Sequence, residues 1–407
     1  MIKFALMGHG VVGSGVAEVF FKHKEAFEKK IGDQLELKYI LALRDFDVPY
    51  KNLFTKDFND IINDDEIKIV VEVMGGVGAA YDFVKRCLTA GKSVATSNKE
   101  LVATHGAELL KIAKEKNANF LFEASVGGGI PIIRPIYQCL SANEILEIDG
   151  ILNGTTNYIL TKMIKEQVAF DDALKTAQEL GYAERDPSAD VNGDDACRKI
   201  CILAALAFGK HVYPDSVYTE GITKITLEDV EYANDCDCVI KLIGRAVSCD
   251  DGRVEISVYP AFVGKDSQLS SVDDVFNAVL VRGDAVGDAV FYGRGAGKLP
   301  TASAVVADVL DCAKHLARRR PLDWEDCADK NYVKPIAECD VKAYIRVKNG
   351  DLANIKSVFG DVKVLEKADA VDEIAFITNT MTEQDLTTKL SQVSGEVASK
   401  IRVLSEI

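Results

Sequence analysis

The stretch Gly8-His9-Gly10-Val11-Val12-Gly13 constrains this chain more than any other. It follows the apolar run Lys3–Met7 and precedes a segment with apolar residues at 16, 19, 20 and 27, which predicts a helix over Val16–Phe27. In a G-x-G-x-x-G turn between strand and helix, Gly8 permits the tight reversal. Gly10 lets backbone approach a pyrophosphate, Gly13 lets helix pack on strand, and the helix N-terminus attracts the phosphates. Gly8, Gly10, Val11, Val12 and Gly13 are therefore candidate dinucleotide-binding residues. The same rhythm continues with strands over Leu35–Leu43, Lys68–Val73, Ser93–Ser97 and Asn119–Glu123, and helices over Tyr81–Thr89 and Leu101–Lys116. Alternating strands and helices predict an α/β fold, a Rossmann-type parallel sheet covered on both faces, over residues 1–130.

Ligands of such sheets lie outside the carboxyl ends of the strands. Three turns fall there. Leu43-Arg44-Asp45 ends the second strand and offers an Arg for a 2′-phosphate or an Asp for a 2′-hydroxyl, which favours NADP slightly over NAD. Met74-Gly75-Gly76 follows the third strand and Ser97-Asn98-Lys99 the fourth, where a lysine can sit beside the nicotinamide or the substrate.

From about residue 131 the rhythm changes to an α+β unit with strands over Glu144–Leu152, Arg253–Pro260 and Ala289–Phe291. Helices are expected over Thr155–Lys165, Asp171–Leu180, Asp194–Phe208 and Thr301–Leu310, the last following the glycine turn Gly293–Gly297. A linker-like stretch containing Trp324 runs to about Cys339. The order strand (Val341–Val347), helix (Leu352–Phe359), strand (Val362–Lys367), strand (Glu373–Thr378), helix (Thr382–Gln392), strand (Ile401–Leu404) is βαββαβ, a ferredoxin-like module. The expected domains are residues 1–130 with a returning helix near 300–317, a catalytic and dimerisation domain over 131–320, and a regulatory module over 338–407.

Forty-eight basic against 63 acidic residues give a net charge of −15, and no basic run extends beyond Arg318–Arg320. A general affinity for nucleic acid or anionic lipid is not expected, and small molecules or other subunits are the expected partners. No apolar stretch reaches the ~20 residues of a membrane helix, and the N-terminus lacks a cleavage site, so a cytoplasmic protein is expected. Ten cysteines without CxxC spacing read as reduced core thiols, and the five histidines show no metal-ligand spacing.

Five carboxylates occupy the twelve residues from Glu184 to Asp195, pinned by Pro187 and Gly193, and such a loop can grip a cationic amine. Asp195 and Lys199 are four apart, hence on one face of a helix whose remainder (Ile200, Cys201, Leu203, Ala204) is apolar and small. A lysine held among carboxylates on a largely buried helix can donate a proton to a carbonyl oxygen as hydride reaches its carbon.

The fingerprint, Val71–Gly76, Ser97–Glu100, Glu123–Pro131, Gly150–Leu160, the acidic loop with Asp195 and Lys199, and Gly293–Gly297 stand in one order over residues 1–310, and together they resemble homoserine dehydrogenase. The C-terminal segment resembles the ACT module of many bacterial members. The resemblance implies reversible NAD(P)-dependent interconversion of L-aspartate 4-semialdehyde and L-homoserine, on the route to threonine, isoleucine and methionine. It implies Lys199 as proton donor with Asp195 its partner, and Glu184 and Asp190 as substrate-binding carboxylates. Asn153, Gly154 and Thr155 would line the substrate cleft, Lys99 would serve cofactor and substrate, and Gly75, Gly76, Ser97 and Gly297 would join Arg44 and the fingerprint around the cofactor. It further implies a sodium site of Glu123, Val126, Gly128 and Ile130, suited to hard oxygen ligands, and a homodimer or homotetramer with the dimer contact in the central domain.

One departure stands out. At the usual effector turn of the ACT module this chain reads Lys348-Asn349-Gly350-Asp351-Leu352-Ala353-Asn354-Ile355, shorter than the family pattern and without proline. That counts against inhibition by threonine and leaves the module to subunit contacts. A semialdehyde dehydrogenase forming acyl phosphates would need a nucleophilic Cys beside a base, a setting that neither Cys139 nor Cys197 has. The rival from another class is a dinucleotide-sensing regulator with an amino-acid effector module, which would have no use for an acid–base lysine beside Asp195.

Overall fold

The computed structural model describes residues 1–327, 329, 331–365 and 372–404. The chain divides into two units, one of residues 1–144, 201–214 and 293–328, the other of 145–200, 215–292 and 329–407.

In the first unit, β1 (Ile2–Met7), β2 (Leu35–Leu41), β3 (Phe54–Thr55), β4 (Ile67–Glu72), β5 (Ser93–Thr96) and β6 (Phe120–Leu121) form one sheet in the order β3-β2-β1-β4-β5-β6. Every neighbouring pair is parallel. Strands such as β4 (IKIVVE) are almost wholly buried, as a sheet covered on both faces requires. The strand order reverses between β1 and β4, the crevice where such sheets take their ligands. The first helix spans Val11–Ile31 and begins five residues before the expected Val16. Gly13 and Gly15 lower helix propensity, yet the turn closes at Gly10, so both lie inside the helix, and close packing decides the boundary.

Helix Lys298–Lys314 returns to this unit and packs on Val11–Ile31. The segment expected as a linker is instead core at Trp324, which is 5% exposed. Its indole Nε1 donates to His211 Nδ1 at 3.0 Å, so Nε2 of that imidazole carries the proton given to the Ala103 carbonyl at 3.0 Å.

In the second unit, β7 (Ile145–Ile151), β8 (Tyr218–Thr219), β9 (Cys238–Ser248), β10 (Val254–Gly264), β11 (Phe276–Gly283) and β12 (Gly287–Arg294) precede six C-terminal strands. These are β13 (Asp340–Val341), β14 (Ala343–Lys348), β15 (Lys363–Leu365), β16 (Glu373–Ile377), β17 (Met381–Thr382) and β18 (Glu396–Val403). A mixed sheet runs β12-β11-β7-β9-β10-β18-β14-β16-β15, with β8 paired to β10, while β13 and β17 pair separately. The last four positions place the fourth, first, third and second strands of the C-terminal βαββαβ segment side by side, the ferredoxin-like order. Its own core includes Ile345, Val347, Ile355, Phe359, Phe376 and Leu386. The expected strand Val362–Lys367 is seen as Lys363–Leu365, and its last two residues, like 368–371 and 405–407 of the expected module, lie outside the described residues.

The longest elements not read from the sequence are β9, β11 and helix Leu227–Asp235. Lys241 and Arg245 break the apolar pattern of β9, but both charges are compensated, Lys241 by the Val272 carbonyl at 2.5 Å and Arg245 by Asp149 at 2.8 Å. Helix Leu227–Asp235 opens with a capping box, Thr226 to Asp229, which was a legible signal.

Arg346 of β14, 3% exposed, binds that helix to the C-terminal segment. It donates to Asp229 at 3.1 Å, Glu373 at 3.2 Å and Thr226 at 3.1 Å, while the Tyr344 hydroxyl donates to Asp229 at 3.2 Å. Removing the cation leaves buried carboxylates uncompensated, so Arg346→Ala should cost about 3 kcal/mol in a urea titration. A loss below about 1 kcal/mol would mean that water replaces the guanidinium.

Candidate active site

In the first unit Gly8 follows β1 with φ 101°, and an added Cβ there would lie 2.9 Å from the Val73 carbonyl oxygen. At Gly13 a Cβ would lie 2.1 Å from the Gly8 carbonyl oxygen, so both positions admit only glycine. Helix Val11–Ile31 starts from Gly10 without a side-chain cap, an arrangement of first-turn amides suited to an anion. A cavity of about 560 Å³ adjoins this turn, bounded by Gly8, Gly10, Arg44, Phe46, Lys56 and Phe83 among others. Lys56 was missed in the sequence because it lies far from the Arg44-Asp45 turn along the chain. Its ammonium meets the Asp45 carboxylate at 2.8 Å.

The two turns after β4 and β5 are tied together. Glu72, fully buried, accepts from the Met74 amide at 2.8 Å and the Thr96 hydroxyl at 2.6 Å, and burial pushes its carboxyl above the usual range. Asn98 donates to the Gly76 carbonyl at 2.6 Å and caps helix Lys99–Glu115 through the Leu101 amide at 3.0 Å. Gly75, Gly76, Ser97 and Lys99 are thereby set at the carboxyl ends of β4 and β5, and Gly297 begins helix Lys298–Lys314. Glu72 carried no signal of its own, whereas Asn98, in the turn Ser97-Asn98-Lys99, stands where a helix N-cap is expected.

The loop 123–130 is organised by the Glu123 carboxylate. Oε1 accepts from the Ile132 and Ile133 amides at 2.7 and 2.9 Å, and Oε2 from the Arg134 amide at 2.8 Å. Glu123 and Asp308 both face the Arg134 guanidinium, and the Asp308 carboxylate also accepts from the Glu123 amide at 2.8 Å.

In the second unit β7 leads into Leu152 and Asn153, which caps helix Gly154–Glu166 by accepting from the Thr156 amide at 2.9 Å. The Asn153 amide group donates to Asp190 at 2.7 Å and to Asp195 at 2.8 Å. Lys199, 7% exposed, donates to Asp195 at 2.7 Å and to the Leu152 carbonyl at 2.6 Å. Burial, and with it the Asp195 charge, pushes the Asp190 carboxyl above the usual carboxylate range, while the Asn153 bond opposes the rise. Thr155 donates to the Tyr182 carbonyl at 2.8 Å, which fixes the start of the acidic loop. Lys199, Asp195, Asn153 and Asp190 are thus brought together beside Gly154 and Thr155, whereas Glu184 is exposed and takes no part in those hydrogen bonds. The Leu152 carbonyl, a backbone acceptor, left no mark in the sequence.

Comparison with known proteins gives two family models. "Homoserine dehydrogenase, NAD binding domain" matches residues 8–123 and "Homoserine dehydrogenase" residues 131–310. A homoserine dehydrogenase of Bacillus subtilis (strain 168) is 37% identical over 428 residues, covering 99% of this chain and 98% of its own. Among solved structures, a homoserine dehydrogenase from Thiobacillus denitrificans superposes with a TM-score of 0.89 at 35% identity, covering 99% of this chain and 98% of its own. A hyperthermophilic archaeal homoserine dehydrogenase in complex with NADPH superposes with a TM-score of 0.65 at 28% identity, covering 76% of this chain and 97% of its own.

The carboxyl pair around Arg134 yields a pH prediction. Burial, followed by the Glu123 charge, pushes Asp308 up to about 8 from 3.8. Between those values the folded state binds more protons than the unfolded, so stability should fall as pH rises through the window. Urea midpoints taken at about pH 5, 6.5 and 8 should decline in the parent protein and decline less in Asp308→Asn. An equal slope in both would place the titration elsewhere.

Proposed function

The chain belongs to the homoserine dehydrogenase family of NAD(P)-dependent oxidoreductases, and on that premise we propose that Lys199 moves the proton when L-aspartate 4-semialdehyde and L-homoserine are interconverted. The carrying observation is an ammonium buried to 7% exposure, held between Asp195 and the Leu152 carbonyl. Nicotinamide dinucleotide, when bound, supplies the hydride to the aldehyde carbon. Lys199 gives its proton to the aldehyde oxygen in reduction and takes the hydroxyl proton in oxidation. Asp195 orients the ammonium and compensates its charge. Asp190 and Glu184 receive the substrate's α-ammonium, beside Asn153, Gly154 and Thr155.

For the cofactor, the uncapped helix start at Gly10–Gly13 suits a pyrophosphate, with Gly75, Gly76, Ser97, Lys99 and Gly297 assigned to the remainder. NADP is favoured over NAD because Arg44 and Lys56 line one cavity and Lys56 holds the Asp45 carboxylate. The Glu123 carboxylate already accepts three amides and faces the Arg134 guanidinium, so a sodium ion there would rest mainly on the carbonyls of Val126, Gly128 and Ile130.

A homodimer or homotetramer is supported by β12 at the sheet edge, whose Val290 and Tyr292 are 39% and 56% exposed, since an apolar edge needs covering. Threonine is not proposed as an effector, because the turn at Asn349–Asp351 is short and without proline, and Asn354 of the helix that follows is already bonded to the Ser394 amide and the Gln392 carbonyl. No helix among the described residues is long and apolar enough to cross a membrane, and a cytoplasmic location is the proposal.

The test adds L-aspartate 4-semialdehyde to protein with NADPH or NADH and follows the reduced-nicotinamide absorbance. The parent should consume NADPH faster than NADH, and Lys199→Ala should lose roughly 10²–10⁴-fold in kcat while still binding NADPH. A near-normal rate in that variant rejects Lys199 as the acid.

Asn153 gives a second outcome. Removing its amide takes a hydrogen bond from Asp190 and Asp195 and raises their affinity for protons. In Asn153→Ala the acid limb of kcat/KM should move up by about one pH unit, the worth of one hydrogen bond to a charged group. An unmoved limb would show that neither carboxylate governs it.

A further inference from the structure

His9 occupies the variable second position of the fingerprint and has no part in the reaction proposed above. Its ring is nonetheless 7% exposed. It lies edge-on to Phe46, Tyr50 and Phe54, with centroids 4.5, 5.8 and 5.0 Å away, and its Nε2 is 3.1 Å from the Tyr50 hydroxyl. Phe46 stacks on Phe54 at 5.3 Å, and Tyr50 lies 4.9 Å from Phe21 of the fingerprint helix. The segment so gripped, residues 42–50, has neither helix nor strand, and its Leu43 is 83% exposed. Arg44 leaves from this segment and Lys56 from just beyond β3, and both line the cavity that His9 also lines.

The other ring nitrogen, Nδ1, is buried without a hydrogen-bond partner. For packing alone an apolar ring would serve better, since a buried unsatisfied nitrogen is a cost. The bond to Tyr50 gives the imidazole a use that an apolar ring lacks: it fixes the end of the segment relative to the glycine turn. A phosphate-binding arginine on an unstructured segment loses affinity to the entropy of ordering that segment, and a clamp formed beforehand removes the loss.

We infer that His9 is a positioning residue for cofactor selectivity, holding residues 44–56 against the glycine turn so that Arg44 and Lys56 meet the 2′-phosphate of NADP. The inference rests on the NADP reading above and adds the residue that makes the two cations effective. His9 touches no reacting atom in this scheme. Its effect is on the discrimination between NADPH and NADH, which share every group except that phosphate.

The experiment measures binding of NADPH and of NADH to the full chain, without substrate, by fluorescence titration. His9→Ala should reduce the NADPH-to-NADH affinity ratio by about five- to tenfold, the worth of a few ring contacts and one hydrogen bond. Arg44→Ala should reduce it at least as far, and adding His9→Ala to the Arg44→Ala/Lys56→Ala pair should lower it no further, because His9 acts through those two cations. Tyr50→Phe, which deletes one hydroxyl, should give a smaller fall of about twofold and serves if His9→Ala does not fold. An unchanged ratio in His9→Ala, whether both ligands weaken equally or neither does, overturns the inference, and an unchanged ratio in Tyr50→Phe does so where His9→Ala cannot be read. If Arg44→Ala and Lys56→Ala collapse the ratio while His9→Ala does not, the NADP reading stands and only the clamp fails. If those two also leave it unchanged, the 2′-phosphate reading has failed as well.

Discussion

A lysine ammonium cannot be taken out of water without compensation, because desolvation costs several kcal/mol per ion. In this chain that demand organises the second unit. The positive charge of Lys199 is met by a carboxylate one helical turn away and by a backbone carbonyl at the end of β7. The sheet makes room for this. A Cβ at Gly150 would lie 2.6 Å from the Leu152 side chain, and one at Gly244 would lie 2.9 Å from Leu152 and 3.3 Å from Ile200, so the two glycines let Leu152 and the lysine-bearing helix sit on the strands. Asn153 then holds two carboxylates that would otherwise repel each other, using both amide hydrogens, and in the same act starts the next helix. Replacing any one of these groups leaves another buried and unsatisfied, which is why the arrangement is read as a unit rather than as a list of contacts.

The first unit faces the opposite problem, since a chain with net charge −15 must bind a polyanionic cofactor. Long-range attraction is of no help at physiological salt, where charges farther apart than ~8 Å are largely screened. The proposed answer is local: a helix start at Gly10 without a side-chain cap to face the pyrophosphate, and two cations, Arg44 and Lys56, lining one cavity to face the ribose end. Acidic residues elsewhere on the surface do not interfere with contacts made at hydrogen-bond distance.

Much of this was legible in the sequence where the physics is local. The parallel sheet followed from periodicity and glycine spacing, and Asp195 with Lys199 from a four-residue interval on an apolar helix. What was not legible depends on partners distant along the chain. Strand β9 looks broken by Lys241 and Arg245 until the carbonyl of Val272 and the carboxylate of Asp149 are beside them. Trp324 looked like linker because its partner His211 is over a hundred residues away. Asn153 was expected to line the substrate cleft, but its two bonds to carboxylates could not be foreseen. The same holds for Lys56, whose significance comes from the fold of β2 and β3 and not from any motif.

The C-terminal segment has the ferredoxin-like order without the proline of the family's effector turn, and its attachment accounts for its place in the fold without a regulatory role. It does not hang from a linker: β18 pairs in parallel with β10 through Ala261–Arg402 and Phe262–Val403, which makes one continuous sheet. Arg402 is 5% exposed, lies 4.6 Å from both the Tyr218 and Tyr259 rings, and bonds Glu220 and Glu383. Cation–π contacts of this kind are strongest where water is excluded, and a guanidinium between two rings with two carboxylates has most of its valence used. Deleting the segment would bare the edge of β10 and leave Glu220 without this partner. A segment that completes the sheet on which Lys199 and Asn153 depend is needed whether or not it binds an effector, so the atypical turn at Asn349–Asp351 is consistent with an intact enzyme.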